Sequence, residues 1–592
     1  MCGIVGGVSS KPIKEYLING LKTIEYRGYD SAGIAVFEQR DWQIFKMRGR
    51  VDDLDKALPK TLSATVGIGH TRWATHGEPS AANAHPHESH SGLVAIVHNG
   101  VIENFRILKN DLLAKGYSFK SETDTEVIAN LLEEQYLQIK DPLKALSKTI
   151  QLLKGTYALA ILFKEESERV YFAKRRSPLL IGHSEYGNYL ASDYLPMLKV
   201  AKQFVAIGDH QYGYISRDEI KMFDQDEHSM DISYHTTNLK AEALDLNGYP
   251  HYMLKEIEEA YDCIEILIDN YFDDTSFLFD KQMLKDIKDA DNIVFLACGT
   301  SYHASLLGSR FFRSAGKKAD VYIASEWAFY PYSSELNTVY IVVSQSGETA
   351  DLIHCMSVIK KMGGKVITVT NTQGSTLSRS ALFTILLYAG IEVAVASTKA
   401  YVAQVTILAL LAAALQGKTD VIDDLRKVII AQQGIITNHE AIKILADYIA
   451  AKEDVYFLGR GADYDLALEC SLKLKEITYI HSEAFPGGEL KHGPIALIEK
   501  GTPVIGFISD ERTAEPMRSN FHEVAARGAR VICVSSKSIA HAEDDFVVSD
   551  VPIYLSSLVK VLFGQYLAYY VSLKRGLNID KPRNLAKSVT VE

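Results

Sequence analysis

The feature that most restricts how this chain can fold is a repetition in its second half. Short apolar runs recur there in one order and at nearly one spacing. Asp291-Asn292-Ile293-Val294-Phe295-Leu296-Ala297 answers to Asp454-Val455-Tyr456-Phe457-Leu458-Gly459, Tyr340-Ile341-Val342-Val343 to Val504-Ile505-Gly506-Phe507, and Lys365-Val366-Ile367-Thr368-Val369 to Arg530-Val531-Ile532-Cys533-Val534. Three matched strands imply one folded unit written twice; ordinary α/β units falling into register by chance are the alternative. Each run is short, apolar and followed by a helical stretch, the pattern of parallel strands covered on both faces. The expectation is an α/β multidomain chain whose residues 241–425 and 426–592 form two doubly wound parallel-sheet domains. The boundary near 240 lies where a polar segment leads into Asn247-Gly248-Tyr249-Pro250. In such sheets ligands belong at the carboxyl ends of the strands.

Residues 1–240 read differently. Apolar runs at 2–8, 33–37, 65–69, 93–98, 157–163, 170–175, 189–192 and 211–216 alternate with few helical stretches, chiefly 11–24 and 124–139. The second of these helices is announced by the capping sequence Ser121-Glu122-Thr123-Asp124. Many strands and few helices suggest stacked, mostly antiparallel sheets covered by helices, an αββα sandwich presenting Cys2 at a strand end.

Composition removes several classes of function. A formal charge of -11 with no basic stripe argues against a nucleic-acid partner. Six cysteines stand far apart with no Cys-x-x-Cys pair, which fits a reducing cytoplasm and no structural zinc. The amino terminus lacks the basic and apolar regions of a signal peptide. The most apolar run, 405–415, is about half the roughly 20 residues a bilayer requires and reads as a buried helix. A cytoplasmic chain with no membrane partner is expected.

Candidate chemistry begins at the start of the chain. Removal of Met1 would leave Cys2 with a thiol and a free α-amine, so that nucleophile and base come on one residue. The alternative is a start codon followed by a small buried residue. Four polar islands interrupt the apolar pattern: residues 25–31, residues 70–77, His98-Asn99-Gly100 and Thr123-Asp124. Each alone reads as a turn. Together they are parts for opening an amide. Asn99 and the Gly100 N–H can receive an oxyanion, Arg72 can grip a carboxylate, and Asp124 can hold an ammonium. The substrate implied is an α-amino acid with a side-chain amide.

In the second half, Gly299-Thr300-Ser301 and Ser344-Gln345-Ser346-Gly347-Glu348-Thr349 follow strands and open helices. Backbone N–H groups and hydroxyls in such turns cradle a phosphate, although Gly-Thr-Ser alone also reads as a helix cap. The second copy has Ser509-Asp510-Glu511 at the matching end, where carboxylates repel a phosphate, so only the first copy should bind one. No ATP-binding loop or dinucleotide fingerprint is present, so neither cofactor is indicated and the phosphate belongs to a small metabolite. If 465–480 is helical, Glu469, Lys473 and Glu476 share one face, either as a solvated ladder of charges or as a built site. Gly487-Gly488-Glu489-Leu490-Lys491-His492-Gly493-Pro494 adds a histidine between glycine turns.

These motifs carry a resemblance. Cys-Gly-Ile-Val-Gly at the start, Tyr-Arg-Gly-Tyr-Asp-Ser from Tyr26, His-Thr-Arg-Trp-Ala-Thr-His-Gly from His70, His-Asn-Gly and Thr-Asp-Thr-Glu resemble the glutaminase domain of class II glutamine amidotransferases, which are N-terminal-nucleophile hydrolases. The likeness implies that Cys2 attacks glutamine, that Asn99 and Gly100 form the oxyanion site, and that Arg72, Thr75, His76 and Asp124 bind glutamine. Trp73 would gate ammonia, and Arg27 also matches a motif position. The hydroxyl-rich loops with Ala396-Ser397-Thr398-Lys399 resemble sugar isomerase domains. Leu-Lys-Leu-Lys-Glu-Ile from Leu472, Gly-Glu-Leu-Lys-His-Gly-Pro from Gly488 and the tail from Pro582 resemble the isomerising glutamine–fructose-6-phosphate aminotransferases, a match running essentially end to end.

By that likeness Glu476 is the isomerisation base, His492 opens the sugar ring, Lys587 lies in a tail that closes the site, and Lys473 assists proton transfer or Schiff-base chemistry. Thr300, Ser301, Ser344, Gln345, Ser346, Thr349, Val395, Ser397 and Ala586 would hold the phosphosugar. The implied substrates are glutamine and fructose 6-phosphate, with no cofactor or metal, in a homodimer whose His492 acts in trans. Phe485-Pro486-Gly487 departs from the pattern, standing where small residues are common. Two rivals remain. Another class II amidotransferase would need a pyrophosphate- or ATP-binding signature, and a phosphosugar sensor would not need Cys2, Arg72 or Asp124.

Overall fold

The computed structural model describes residues 2–38, 41–73, 77–237, 245–331 and 337–590, Tyr26 by its backbone only. They form two compact units: Met1–Asp245 with Glu348–Ala350 and Ser588–Glu592, and Leu246–Gly347 with Asp351–Lys587.

The first unit contains two antiparallel sheets. One runs Gln203–Ala206, Leu180–Ser184, Gly187–Ala191, Gly3–Ser9, Val66–Arg72, Ser31–Glu38, Asp41–Arg48; the other runs Ile220–Phe223, Gln211–Ile215, Val170–Arg175, Gly155–Phe163, Val94–Ile102, His87–Glu88. Because side chains alternate along a strand, each sheet has two apolar faces to bury. Ala95, Val97, Ala158 and Ala160 of one sheet meet Ile4, Val8, Ala35 and Ile68 of the other. Val94, Ile96, Leu159 and Phe163 point the opposite way, to Leu131, Leu132 and Leu146 of the helices Asp124–Ile139 and Pro142–Leu152. On the far side, Leu17 and Leu21 of the helix Lys14–Ile24 lie over glycines: a Cβ at Gly67 would come 2.9 Å from Leu17 Cδ1. This is the expected αββα sandwich. Five strands beyond the expected eight carry less apolar signal at or near the sheet edges. Asp41–Arg48, for example, is an edge strand exposed at both ends and half-buried along much of its length.

The second unit contains two five-stranded parallel sheets. The first is ordered Ala319–Ile323, Asn292–Ala297, Thr338–Ser344, Lys365–Thr370, Phe383–Leu386; the second is ordered His481–Pro486, Asp454–Gly459, Pro503–Ile508, Arg530–Ser536, Phe546–Val548. In chain order both read 2-1-3-4-5, so the repeat covers five strands where the sequence displayed three, and each has its switch point between first and third strands. One continuous core joins Ile293, Phe295 and Val343 of the first sheet to Val455, Phe457 and Phe507 of the second. Through it runs the helix Lys399–Gln416, long and apolar enough to cross a membrane by length and composition, yet with 89% of its span buried inside the protein. It is the buried helix expected around 405–415, extended by about two turns. The helix Asp420–Thr437 runs through residue 425.

Candidate active sites

Cys2 lies just before the strand Gly3–Ser9, whose pairing of Gly3 with Thr71 brings it beside Arg72 and Trp73. The Trp73 N–H donates to Cys2 Sγ at 3.2 Å, and the thiol donates to the Trp73 carbonyl at 3.5 Å. Burial pushes the Cys2 thiol up; the Trp73 backbone and the Arg72 charge offset part of that. Asn99 and Gly100 come from the other sheet, in the strand Val94–Ile102. Asn99 Nδ2 donates to the Cys2 carbonyl at 3.0 Å and to Ser192 Oγ at 2.9 Å. Both amide hydrogens are engaged, so an oxyanion could bind Asn99 Nδ2 only in exchange for one of these bonds. Gly100 has φ +137, and a Cβ there would lie 2.1 Å from the Thr156 carbonyl, so no other residue fits.

Arg72, 3% exposed, donates to the carbonyls of Gly77 at 3.1 Å and Glu78 at 3.4 Å. Burial lowers its pKa, against the charges of Asp30 and Asp124. Asp124 opens the helix Asp124–Ile139, which Thr123 caps by accepting the Glu126 N–H, and its Oδ2 accepts the Ile102 N–H at 2.8 Å. Trp73 stands edge-on to Tyr29, and Arg27 pairs with Asp193 at 2.7 Å. Thr75 and His76 lie outside the described residues.

In the second unit Glu469, Lys473 and Glu476 do share one face of a helix, Ala462–Thr478. Lys473 Nζ lies 2.7 Å from Glu476 Oε2 and 3.5 Å from Glu469 Oε1, with side-chain exposures of 1% for Lys473, 0% for Glu469 and 20% for Glu476. A solvated ladder is thereby excluded. Lys473 also donates to Thr300 Oγ1 at 3.0 Å, Thr300 donates to Glu469 Oε1 at 3.1 Å, and His303 Nδ1 meets Glu469 Oε2 at 2.7 Å. Burial opposes the ammonium, but Glu476 and Glu469 outweigh it and hold Lys473 above the ordinary lysine value. An enclosed charge of this kind persists only when paired and hydrogen-bonded. His492 ends a short turn of helix, Leu490–His492, and is exposed; among the described residues no side-chain hydrogen bond or ion pair joins it to this group.

The hydroxyl-rich loops sit at the carboxyl ends of the first sheet. Thr300 and Ser301 lie in the first turn of the helix Gly299–Ser314, and Ser301 Oγ accepts from Gln404 at 2.9 Å. Ser344 Oγ accepts the Gly347 N–H at 3.1 Å, and Gly347, at φ +65, would place a Cβ 2.0 Å from Ser375 Oγ. The Gln345 carbonyl accepts from Asn371 N at 3.0 Å, tying the loops after the third and fourth strands together. Ser346 and Thr349 are half-buried in the same loop.

A third group surrounds Glu392, buried and held low despite that burial by the Lys587 ammonium. Its carboxylate accepts from Lys587, from Ser397 Oγ at 2.8 Å and from Thr398 N at 2.8 Å, and Lys587 also donates to the Ala394 carbonyl at 2.8 Å. Val395 N donates to the Asp580 carbonyl at 2.9 Å, so the tail is fastened on both sides of the half-buried Ala586. Sequence reasoning missed Ser192, His303 and Glu392. Only Glu392 gave a signal, a lone carboxylate inside the apolar stretch Ile391-Glu392-Val393-Ala394-Val395.

A cysteine-headed antiparallel sandwich followed by two sugar-isomerase-like sheets defines a class: a glutamine amidotransferase domain joined to two SIS domains. Family models agree, "Glutamine amidotransferase domain" matching residues 70–199 and "SIS domain" matching 286–414 and 448–574. The chain is 45% identical over 602 residues to the "Glutamine--fructose-6-phosphate aminotransferase [isomerizing]" of Geobacillus kaustophilus (strain HTA426), covering all of both chains. It is 44% identical over 601 residues to the protein of that name in Halalkalibacterium halodurans, again over all of both. A solved structure, the C-terminal domain of glucosamine-fructose-6-phosphate aminotransferase from Francisella tularensis, matches with TM-score 0.55 and 32% identity over 57% of this chain and 99% of its own. The chain belongs to the isomerising glutamine–fructose-6-phosphate aminotransferase family, as its motifs implied.

Proposed function

We propose that the chain hydrolyses glutamine at Cys2 and transfers the released nitrogen to fructose 6-phosphate, giving glutamate and glucosamine 6-phosphate. The observation that carries this reading is the enclosed Lys473 ammonium between Glu469 and Glu476, hydrogen-bonded to Thr300 at the head of hydroxyl-rich loops. Full-length likeness to relatives bearing that activity in their names supports it.

Once Met1 is removed, the α-amine of Cys2 takes the thiol proton and the thiolate adds to the glutamine side-chain carbonyl. Asn99 Nδ2 and the Gly100 N–H receive the oxyanion. Ammonia departs, and water then releases glutamate from the thioester. Arg72 holds the α-carboxylate and Asp124 the α-ammonium, with Thr75 and His76 adding contacts and Trp73 gating the ammonia. Thr300, Ser301, Ser344, Gln345, Ser346, Thr349, Val395, Ser397 and Ala586 hold the phosphosugar. His492 opens its ring, ammonia adds to the C2 ketone and water leaves. Glu476 takes a proton from C1 and returns it to C2, with the Lys473 ammonium 2.7 Å from its carboxylate. Lys587, paired with Glu392, closes the site with the tail. Ammonia passes between the two chemistries without mixing with bulk water. A homodimer, each copy's exposed His492 serving the other's sugar, completes the reading.

With Cys2→Ala, glutamine-dependent synthesis should vanish while synthesis from high ammonium persists; retained glutamine turnover removes the Cys2 assignment. Glu476→Gln should bind the phosphosugar yet form no product, and unchanged turnover removes its role as base.

A further inference from the structure

His70, in the strand Val66–Arg72, and Asn99, in the strand Val94–Ile102, come from the two different sheets of the first unit. His70 Nε2 lies 3.0 Å from Asn99 Oδ1 and 3.0 Å from the His98 carbonyl. The amide orientation is fixed by its other end: the Cys2 carbonyl, 3.0 Å from Asn99 Nδ2, can only accept. His70 Nε2 therefore faces two acceptors and carries the ring hydrogen. Its other ring nitrogen, Nδ1, is buried without a hydrogen-bond partner among the described residues. A proton there would bury an unpaired charge. Burial accordingly pushes the imidazole pKa down to about 3, which fixes the neutral Nε2–H form. A second imidazole, His85, is stacked on the ring at 4.0 Å between centroids and leaves it little room to turn.

An asparagine amide has nearly the same shape when its oxygen and nitrogen are exchanged, so packing alone does not choose between the two orientations. Hydrogen bonds do. Turned over, Asn99 would set its NH2 against the His70 Nε2–H and its oxygen against the Cys2 carbonyl, two like-with-like contacts. It would also offer an acceptor where a developing oxyanion needs a donor. We propose that His70 is a positioning residue for glutamine hydrolysis, its Nε2–H holding Asn99 Oδ1 so that the amide nitrogen faces Cys2. The inference rests on the reading of Cys2 as nucleophile and Asn99 as oxyanion donor, and goes one shell beyond it.

The test uses the full-length, Met1-processed protein with His70→Leu, which has no donor, and His70→Gln, whose side-chain NH2 can reach the place of Nε2. Loss of an oxyanion donor typically costs about 10²–10³ in kcat, and a donor that is present but free to turn should cost part of that. For His70→Leu the expected result is a fall of about 10- to 100-fold in glutamine kcat with KM changed less than about threefold. His70→Gln should recover most of the loss. Iodoacetamide, which alkylates the thiolate without forming an oxyanion, should label Cys2 in His70→Leu at the unsubstituted rate, and ammonium-supported synthesis should be unchanged. Full glutamine kcat in His70→Leu overturns the proposal, as does His70→Gln performing no better than His70→Leu. Loss of alkylation together with kcat also overturns it, since that marks general damage to the site. Glutamine turnover surviving Cys2→Ala is a separate result and strikes the underlying reading instead.

Discussion

At the scale of single residues, the first unit buries imidazoles it cannot charge. Burial holds His70, His85 and His87 well below the ordinary histidine value, all three also pushed down by neighbouring positive charge, and His85 lies 4.0 Å from one ring and 4.8 Å from the other. In the unfolded chain each takes up a proton near pH 6.5; folded, none does until far lower. Below pH 6.5 the unfolded state therefore binds more protons, and stability falls as pH falls. Each site contributes at most about 1.4 kcal/mol per pH unit, so the three together give a slope of at most about 4 kcal/mol per unit. Hydrogen exchange of the strand Val94–Ile102 between pH 6.5 and 5, corrected for intrinsic rates, should report a slope well above that of a single proton; a slope of one proton or less contradicts the account. These groups also mark where sequence reading stops. Cys2, Arg72, Asn99, Gly100 and Asp124 stand out in the sequence because each side chain, or in Gly100 the backbone N–H, names a chemistry. The contacts that His70 and Ser192 make with Asn99 do not stand out, because nothing near them in the chain records those contacts.

At the scale of elements, the helix Ala462–Thr478 displayed its charged face in the sequence but not the burial of that face. Thr300 and His303, which help enclose it, belong to the other copy of the repeat, and periodicity does not report which elements meet. The second sheet shows the same limit. Its Asp510 was expected to repel a phosphate, yet that carboxylate caps the helix Glu511–Ala525 and pairs with Arg512. The crevice at the ends of the third and fourth strands is filled instead by Lys560 of the helix Ser556–Lys574. Its Nζ donates to Ser509 Oγ and Ser536 Oγ, each at 2.7 Å, while Ser509 donates to the buried Asp463 at 2.5 Å. An internal ammonium thus stands at the carboxyl ends of these strands, where ligands of such sheets belong. Lys560→Met should strand Asp463 as an uncompensated buried carboxylate and destabilise the protein by about 3 kcal/mol in urea unfolding. Adding Asp463→Asn should recover at least half, because the penalty belongs to the unpaired charge; a double variant as unstable as the single one refutes the coupling.

At the scale of the whole molecule, duplication was legible because the first, third and fourth strands of each sheet are continuous apolar runs. The second and fifth strands stand at the edges of both sheets and are partly exposed, so polar residues interrupt them and the repeat is concealed there. The two-part chain poses a chemical problem that neither part poses alone. Nitrogen leaves glutamine as ammonia, and at neutral pH ammonia reaching bulk water is largely protonated, diluted and no longer a nucleophile. Passage without release predicts an isotope result that simple coexistence of two activities does not. With glutamine carrying nitrogen-15 in its side-chain amide and unlabelled ammonium in about tenfold excess, the aminosugar should retain nearly all of the label. Cys2→Ala at the same ammonium concentration establishes whether bulk nitrogen can reach the sugar at all, so retention in the unsubstituted protein has meaning only against measurable synthesis in that variant. Label diluted toward the bulk ratio would mean that the nitrogen equilibrates with solvent between the two chemistries, and the proposal of passage within the protein would fall while the separate activities stood.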